Sequence, residues 1–187
     1  MKRAPASFLA LLATALFSGC AMQAQPSAPV PPGYAAAAQS LFISSSRAAI
    51  DAMVQGIDLE QVGQAPVLVA TVVNVNDLSR SAPLGRTLSE IYASQLAGKG
   101  LNVTEMKLRG NVYVKTGTGE LLLSREIRDI ASQHNAALVL VGTYSRAVDY
   151  TYVSLKLVRT ADNRIIRGHD YALPNDRDTL SLLTSSF

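Results

Sequence analysis

Residues 66–101 read PVLVATVVNVNDLSRSAPLGRTLSEIYASQLAGKGL. The β-branched run 67–75 predicts a strand covered on both faces. A polar loop follows, holding Asn76, Asp77, Ser79, Arg80 and Ser81. Leu84, Leu88, Ile91 and Leu96 then recur at helical spacing, with Ser81 predicted as the N-cap and Pro83 tolerated in the first turn. Gly100 backed by Leu101 predicts a Schellman-type stop, after which 101–108 forms a second strand. A right-handed crossover makes the two strands parallel. Gly85 falls inside the helix, where glycine costs roughly 1 kcal/mol relative to alanine. It therefore predicts close backbone approach to a strand or a partner.

Upstream, residues 34–55 are Ala-rich and free of Pro and Gly, which favours helix. Phe42, Ile43, Ile50, Met53, Val54 and Ile57 form its apolar face, and Ser44, Ser45 and Ser46 read as small packing or surface positions. Downstream, 111–115 reads as a short strand or arm, and Thr116–Gly119 as a turn. The pair Gly117 and Gly119 lacks the third glycine and the directly opening helix of a phosphate-binding fingerprint. Ser124 is predicted to cap a helix over 125–134. Residues 137–144 form a central strand, 152–159 an alternating one, and 165–173 the last, before a short helix at 179–183. This order predicts an α/β (α+β) fold: a single sandwich domain with a mixed sheet. An N-terminal β-α-β unit is followed by a C-terminal antiparallel meander, with helices packed on the sheet.

The folded domain is expected over 34–187, preceded by two segments of a different kind. Lys2 and Arg3 lead into an apolar run of ten residues, 8–17, too short for a membrane span of roughly 20 but suited to a secretory signal. Small residues follow, Ser18 and Gly19, then Cys20, the single cysteine, so no intramolecular disulfide can form. Bacterial lipoprotein precursors look like this. The resemblance implies a signal peptide over 1–19, cleavage between Gly19 and Cys20, and acylation of Cys20. Phe17 and Leu16 depart from the usual lipobox by one position. Ala21, rather than Asp, resembles the sorting signal for the outer membrane. Residues 20–33 are Pro-, Ala- and Gln-rich and read as the anchored cysteine with an extended tether.

Removing Lys2 and Arg3 from 17 Lys and Arg leaves 15 against 14 Asp and Glu, a mature charge of about +1. The basic residues are scattered, Trp is absent, and the Tyr residues do not interleave with basic ones, which argues against nucleic-acid binding. His134 and His169 stand 35 residues apart without metal-ligand spacing, so no metal or other cofactor is expected and both read as structural. Glu90 with Glu105, or Glu120 with Glu126, has no surroundings that would separate two carboxyl pKa values for acid–base work. The loop 74–86 is the candidate contact site. Ser79, Arg80, Ser81 and Arg86 surround a helix N-terminus at the carboxyl end of a strand, suited to an anion such as phosphate or nucleotide, or to a protein partner.

Several stretches stand in order within a span of about 34–183: 69–78 (VATVVNVNDL), 84–90 (LGRTLSE), Gly119-Glu120, 123–125 (LSR), 141–144 (VGTY), 157–159 (LVR) and 169–171 (HDY). Together they resemble the FlgO family of bacterial outer-membrane lipoproteins. The resemblance implies a non-enzymatic, lipid-anchored protein on the periplasmic face of the outer membrane. It would act with flagellar or envelope proteins in basal-body stability and motility, as a homo-oligomer or ring in some settings. An exposed edge strand over 165–173 would serve such contacts. The alternative is a small-ligand-binding lipoprotein, or another envelope-assembly lipoprotein without a flagellar role.

Overall fold

The computed structural model describes residues 33–57, 65–78, 81–106 and 125–184. Two helices stand where composition predicts one, α1 (Tyr34–Ala38) and α2 (Leu41–Val54). Ser40 makes the break. Its backbone leaves the helical region, and its hydroxyl accepts from the Ile43 N–H at 3.4 Å, capping α2. Phe42, Ile50 and Met53 are buried beneath α2, with Ile43, Val54 and Ile57 packed partly against the same core.

The predicted β-α-β unit is present, with one correction. The run 67–75 is not continuous: it divides into β1 (Val67–Ala70) and β2 (Val73–Asn74). Helix α3 (Pro83–Gly98) then leads to β3 (Val103–Met106), which lies parallel to β1. The stop of α3 is a Schellman motif: Gly100 has φ +87°, its N–H bonds the Ala97 carbonyl at 2.9 Å, and the Leu101 N–H bonds that of Leu96 at 3.3 Å. Helix α4 (Arg125–Gln133) ends in the same way. Asn135 takes the left-handed position (φ +51°), and the Ala136 N–H bonds the Ala131 carbonyl at 2.8 Å.

Strands β4 (Leu138–Arg146), β5 (Tyr150–Arg159) and β6 (Ile165–Pro174) form the antiparallel meander, and α5 (Arg177–Thr184) closes the described chain. The strand order is β3-β1-β4-β5-β6, with β2 also paired to β4, so 137–144 does supply the middle strand. Among the described residues β6 is an edge. Its pairing skips Ile166 between Val158 and Leu157, a bulge of the kind that protects edges.

The larger core lies between one face of the sheet and helices α2 and α3. Val67, Val69, Leu140, Leu155 and Leu157 meet Ile50, Leu84, Leu88, Tyr92 and Leu96 there. Fully burying a side chain of this size stabilises by about 1.5–3 kcal/mol. The opposite face has a smaller cluster, in which Leu68, Val139 and Val158 are covered by Ala131 of α4 and by Ala136.

Candidate functional site

The break between β1 and β2 shapes the candidate loop. Val69 pairs with Leu140 and Val73 with Thr143, so three residues on one strand stand opposite two on β4. This is a bulge in a parallel pair, where bulges are rare. Two serines satisfy its backbone. The Ser89 hydroxyl accepts from the Val72 N–H at 2.9 Å and donates to the Gly85 carbonyl at 2.8 Å. The Ser81 hydroxyl donates to the Val72 carbonyl at 2.8 Å.

Two glycines make room. A Cβ on Gly85 would lie 1.9 Å from the Val72 carbonyl oxygen, so α3 can approach the bulge only with glycine there. A Cβ on Gly142 would lie 2.8 Å from Leu155 Cδ2 and 3.1 Å from Val72 Cγ2. The close approach expected of Gly85 is thus made to a strand. Gly142, which sequence reasoning passed over, serves the same contact from the sheet side.

Ser81 is not the N-cap. Ala82 occupies that position with an extended backbone and no side-chain cap, because Pro83 excludes the residue before it from helical geometry. The Ala82 N–H is instead bound by the Tyr144 hydroxyl at 3.1 Å. Arg86 reaches back through Nη1 to the Ser81 carbonyl at 3.4 Å. Asn74 Oδ1 accepts from the Asn76 N–H at 2.8 Å and turns the chain after β2. Ser81 and Arg86 therefore spend their described contacts on the loop and the bulge. Ser79 and Arg80, like Gly19 and Cys20, lie outside the described residues. So do the stretches 107–124, with the predicted arm, turn and Ser124 cap.

The register of β4, β5 and β6 builds a second feature that no single motif announces. Thr143, Ser154 and Asp170 stand in one cross-strand row, and Ser145, Tyr152 and Ala172 in the next. These six line a groove of about 520 Å³ on the sheet face opposite the larger core, beyond the part covered by α4. Val75 and Tyr152 of its lining, with Tyr150 at the start of β5 and Val148 between β4 and β5, are four of the six large apolar or aromatic side chains that are exposed among the described residues; Val148 is 88% exposed.

On the core side, a chain of hydroxyls joins α2, β6 and α3. Ser46 Oγ bonds the Phe42 carbonyl at 2.6 Å and the Tyr171 hydroxyl at 3.1 Å, and Tyr171 bonds the Tyr92 hydroxyl. Burial pushes the Tyr92 hydroxyl well above the usual phenol range, with Tyr171 adding to the shift. Burial raises Tyr171 too, opposed by its bonds from Ser46 and Tyr92. Outside the core, the Lys99 ammonium bonds Asp51 at 2.9 Å and, with Gln95, holds the Asp51 carboxyl below its ordinary value.

Among the described residues no three His, Cys, Asp or Glu side chains gather as metal ligands, and no helix is long and apolar enough to cross a membrane. No curated protein matches the chain by sequence. By structure, the chain is similar to the LpoB C-terminal domain from Escherichia coli, 17% identical with a TM-score of 0.51, over 72% of this chain and 98% of that one. The LpoB C-terminal domain from Salmonella enterica is similar at 16% identity and a TM-score of 0.49, with the same coverage. At such identities the likeness is one of fold: a mixed sheet with helices on its faces. By sequence, the family model described as FlgO protein matches residues 47–178. Covering more than half of the sequence, that match shows that the chain belongs to the FlgO family.

Proposed function

We propose that this protein is a non-enzymatic outer-membrane lipoprotein, acylated at Cys20 and facing the periplasm, that stabilises the flagellar basal body by protein contact. Family membership and the leader ending at Cys20 support the envelope location. The observation that carries the contact reading is the open end of the sheet. Val75, Val148, Tyr150 and Tyr152 are solvent-exposed near one end of the sheet, whereas most other large apolar side chains among the described residues are buried or half-buried. Exposed apolar groups clustered around aromatic ones mark interaction surfaces. Self-association through the β6 edge belongs to the same reading.

The test is genetic and chemical. A strain lacking the gene should lose swimming motility and yield unstable basal bodies. Restoration by the wild-type gene, but not by Cys20→Ala, would support both the anchor and the role. Normal flagella together with an envelope defect would remove the flagellar part and leave the lipoprotein part standing. Absence of labelled fatty acid on the purified wild-type protein would remove the anchor.

A further inference from the structure

We propose that the groove on the open sheet face receives a basic side chain, arginine foremost, from an extended segment of a protein partner. This deepens the contact reading above and rests on it. Tyr152 pairs with Ala172 and Ser154 with Asp170, so the Tyr152 ring and the Asp170 carboxylate are diagonal neighbours on one face. Such diagonal neighbours lie about 7–8 Å apart, within reach of a long side chain laid between them. Tyr152 is 55% exposed, and Asp170 is exposed and forms no ion pair or hydrogen bond among the described residues. Lys156, one pleat away on the same face, leaves Asp170 unpaired.

A planar guanidinium matches this set. It stacks on an aromatic face, bonds a carboxylate through two N–H groups, and offers further donors to hydroxyl acceptors. Those acceptors are present. Thr143 and Ser154 share the row of Asp170, Ser145 that of Tyr152, and none of the three hydroxyls has a hydrogen-bond partner among the described residues. Asp170 is the one charged side chain lining the groove among these residues, so complementarity favours a cation over an anion or a neutral ligand. The carboxyl-side rim of Val75 and Tyr150 gives apolar flanking residues a surface to cover.

The test uses the full-length lipidated protein in detergent micelles and two fluorescein-labelled pentapeptides, Ala-Leu-Arg-Leu-Ala and its citrulline counterpart. Citrulline keeps the shape and removes the charge. Fluorescence polarisation should show the arginine peptide binding at least about tenfold more tightly, with affinity falling as salt rises from 50 to about 500 mM. Asp170→Asn should weaken it by at least about tenfold and Tyr152→Ala by several-fold, while Asp129→Asn on α4 leaves it unchanged. Both groove positions are exposed, so these variants keep the fold, which circular dichroism checks. Equal binding of the two peptides, no effect of Asp170→Asn, or no binding of either at millimolar concentration overturns the proposal. A wild-type oligomer that Asp170→Asn dissociates in sedimentation also overturns it, making a second copy the occupant. Normal motility in a strain carrying Asp170→Asn, with peptide binding lost in vitro, would instead count against the flagellar role and spare the groove.

Discussion

On one face of the sheet, Leu155 and Leu157 of β5 disappear under α2 and α3. On the other, Tyr152 and Ser154, alternating with them on the same strand, line an open groove. The first face is closed by apolar contact and by backbone groups held at fixed places: the bulge at Val72, the glycines that admit it, and the hydroxyl chain from Ser46 to Tyr92. Among the described residues the second is covered by α4 at one end only, and the Asp170 carboxylate on it forms no ion pair. The difference teaches that tight packing and solvent exposure fall on opposite sides of one strand, so substitutions on the two sides should separate cleanly.

The strongest way to break the comparison is Gly85→Ala. Its Cβ would press into the Val72 carbonyl, and α3 must retreat from the bulge, at a cost of about 3 kcal/mol or more. A domain of this size should then lose about 6–12 °C in Tm, read by circular dichroism during thermal unfolding. A loss under 2 °C would show that α3 does not need the close approach.

Tyr92→Phe should cost about 1–2 kcal/mol in urea unfolding, since it removes one partner from a buried hydroxyl chain. It should also change the alkaline limit. Because folding raises the Tyr92 pKa, the stability it contributes is complete below its unfolded value of 10.0 and drains away as pH rises through and beyond it. Wild type should therefore lose stability above pH 10 more steeply than Tyr92→Phe, and parallel curves would reject the assignment.

On the open side, Tyr152→Ser should change stability by no more than about 0.5 kcal/mol in the same assay. A loss of 2 kcal/mol would show this face to be core after all. The smallest effect belongs to Asp51→Asn, whose carboxylate is bonded to Lys99 but is nearly half exposed. The depressed pKa of Asp51 gives stability that is present above 3.8 and lost as pH falls through the folded value. A difference of at most about 0.5 kcal/mol at pH 7, vanishing near pH 2, is expected from paired unfolding curves.

Much of the larger core could be read in advance. Leu84, Leu88 and Leu96 announce a helix face, the run 137–144 announces the middle strand, and Gly85 betrays itself by its cost. The bulge could not be read, because a strand buried on both faces has no alternation for an extra residue to interrupt. Ser81 misleads because its residue type suits a cap, whereas Pro83 fixes the capping geometry one residue later, whatever side chain Ala82 carries. Ser40 was hidden in a stretch whose alanine content favours unbroken helix. The groove was illegible for another reason. Its residues come from three strands separated in sequence, and only the pairing register brings Thr143, Ser154 and Asp170 into line.

The bulge also bears on how the sequence can change over generations. The strand holds one residue more than β4 does between the Val69 and Val73 pairings, so deleting Thr71 would restore regular alternation while Val69 and Val73 keep their β4 partners and faces. A regular strand would remove the need for Ser89 to serve the Val72 amide and for Gly85 to clear its carbonyl. Relatives that lack one residue here should therefore have lost the constraint at both helix positions, while those that keep it should retain the pair. Aligned homologues would show a gap in the strand travelling with substitutions four residues apart in the helix.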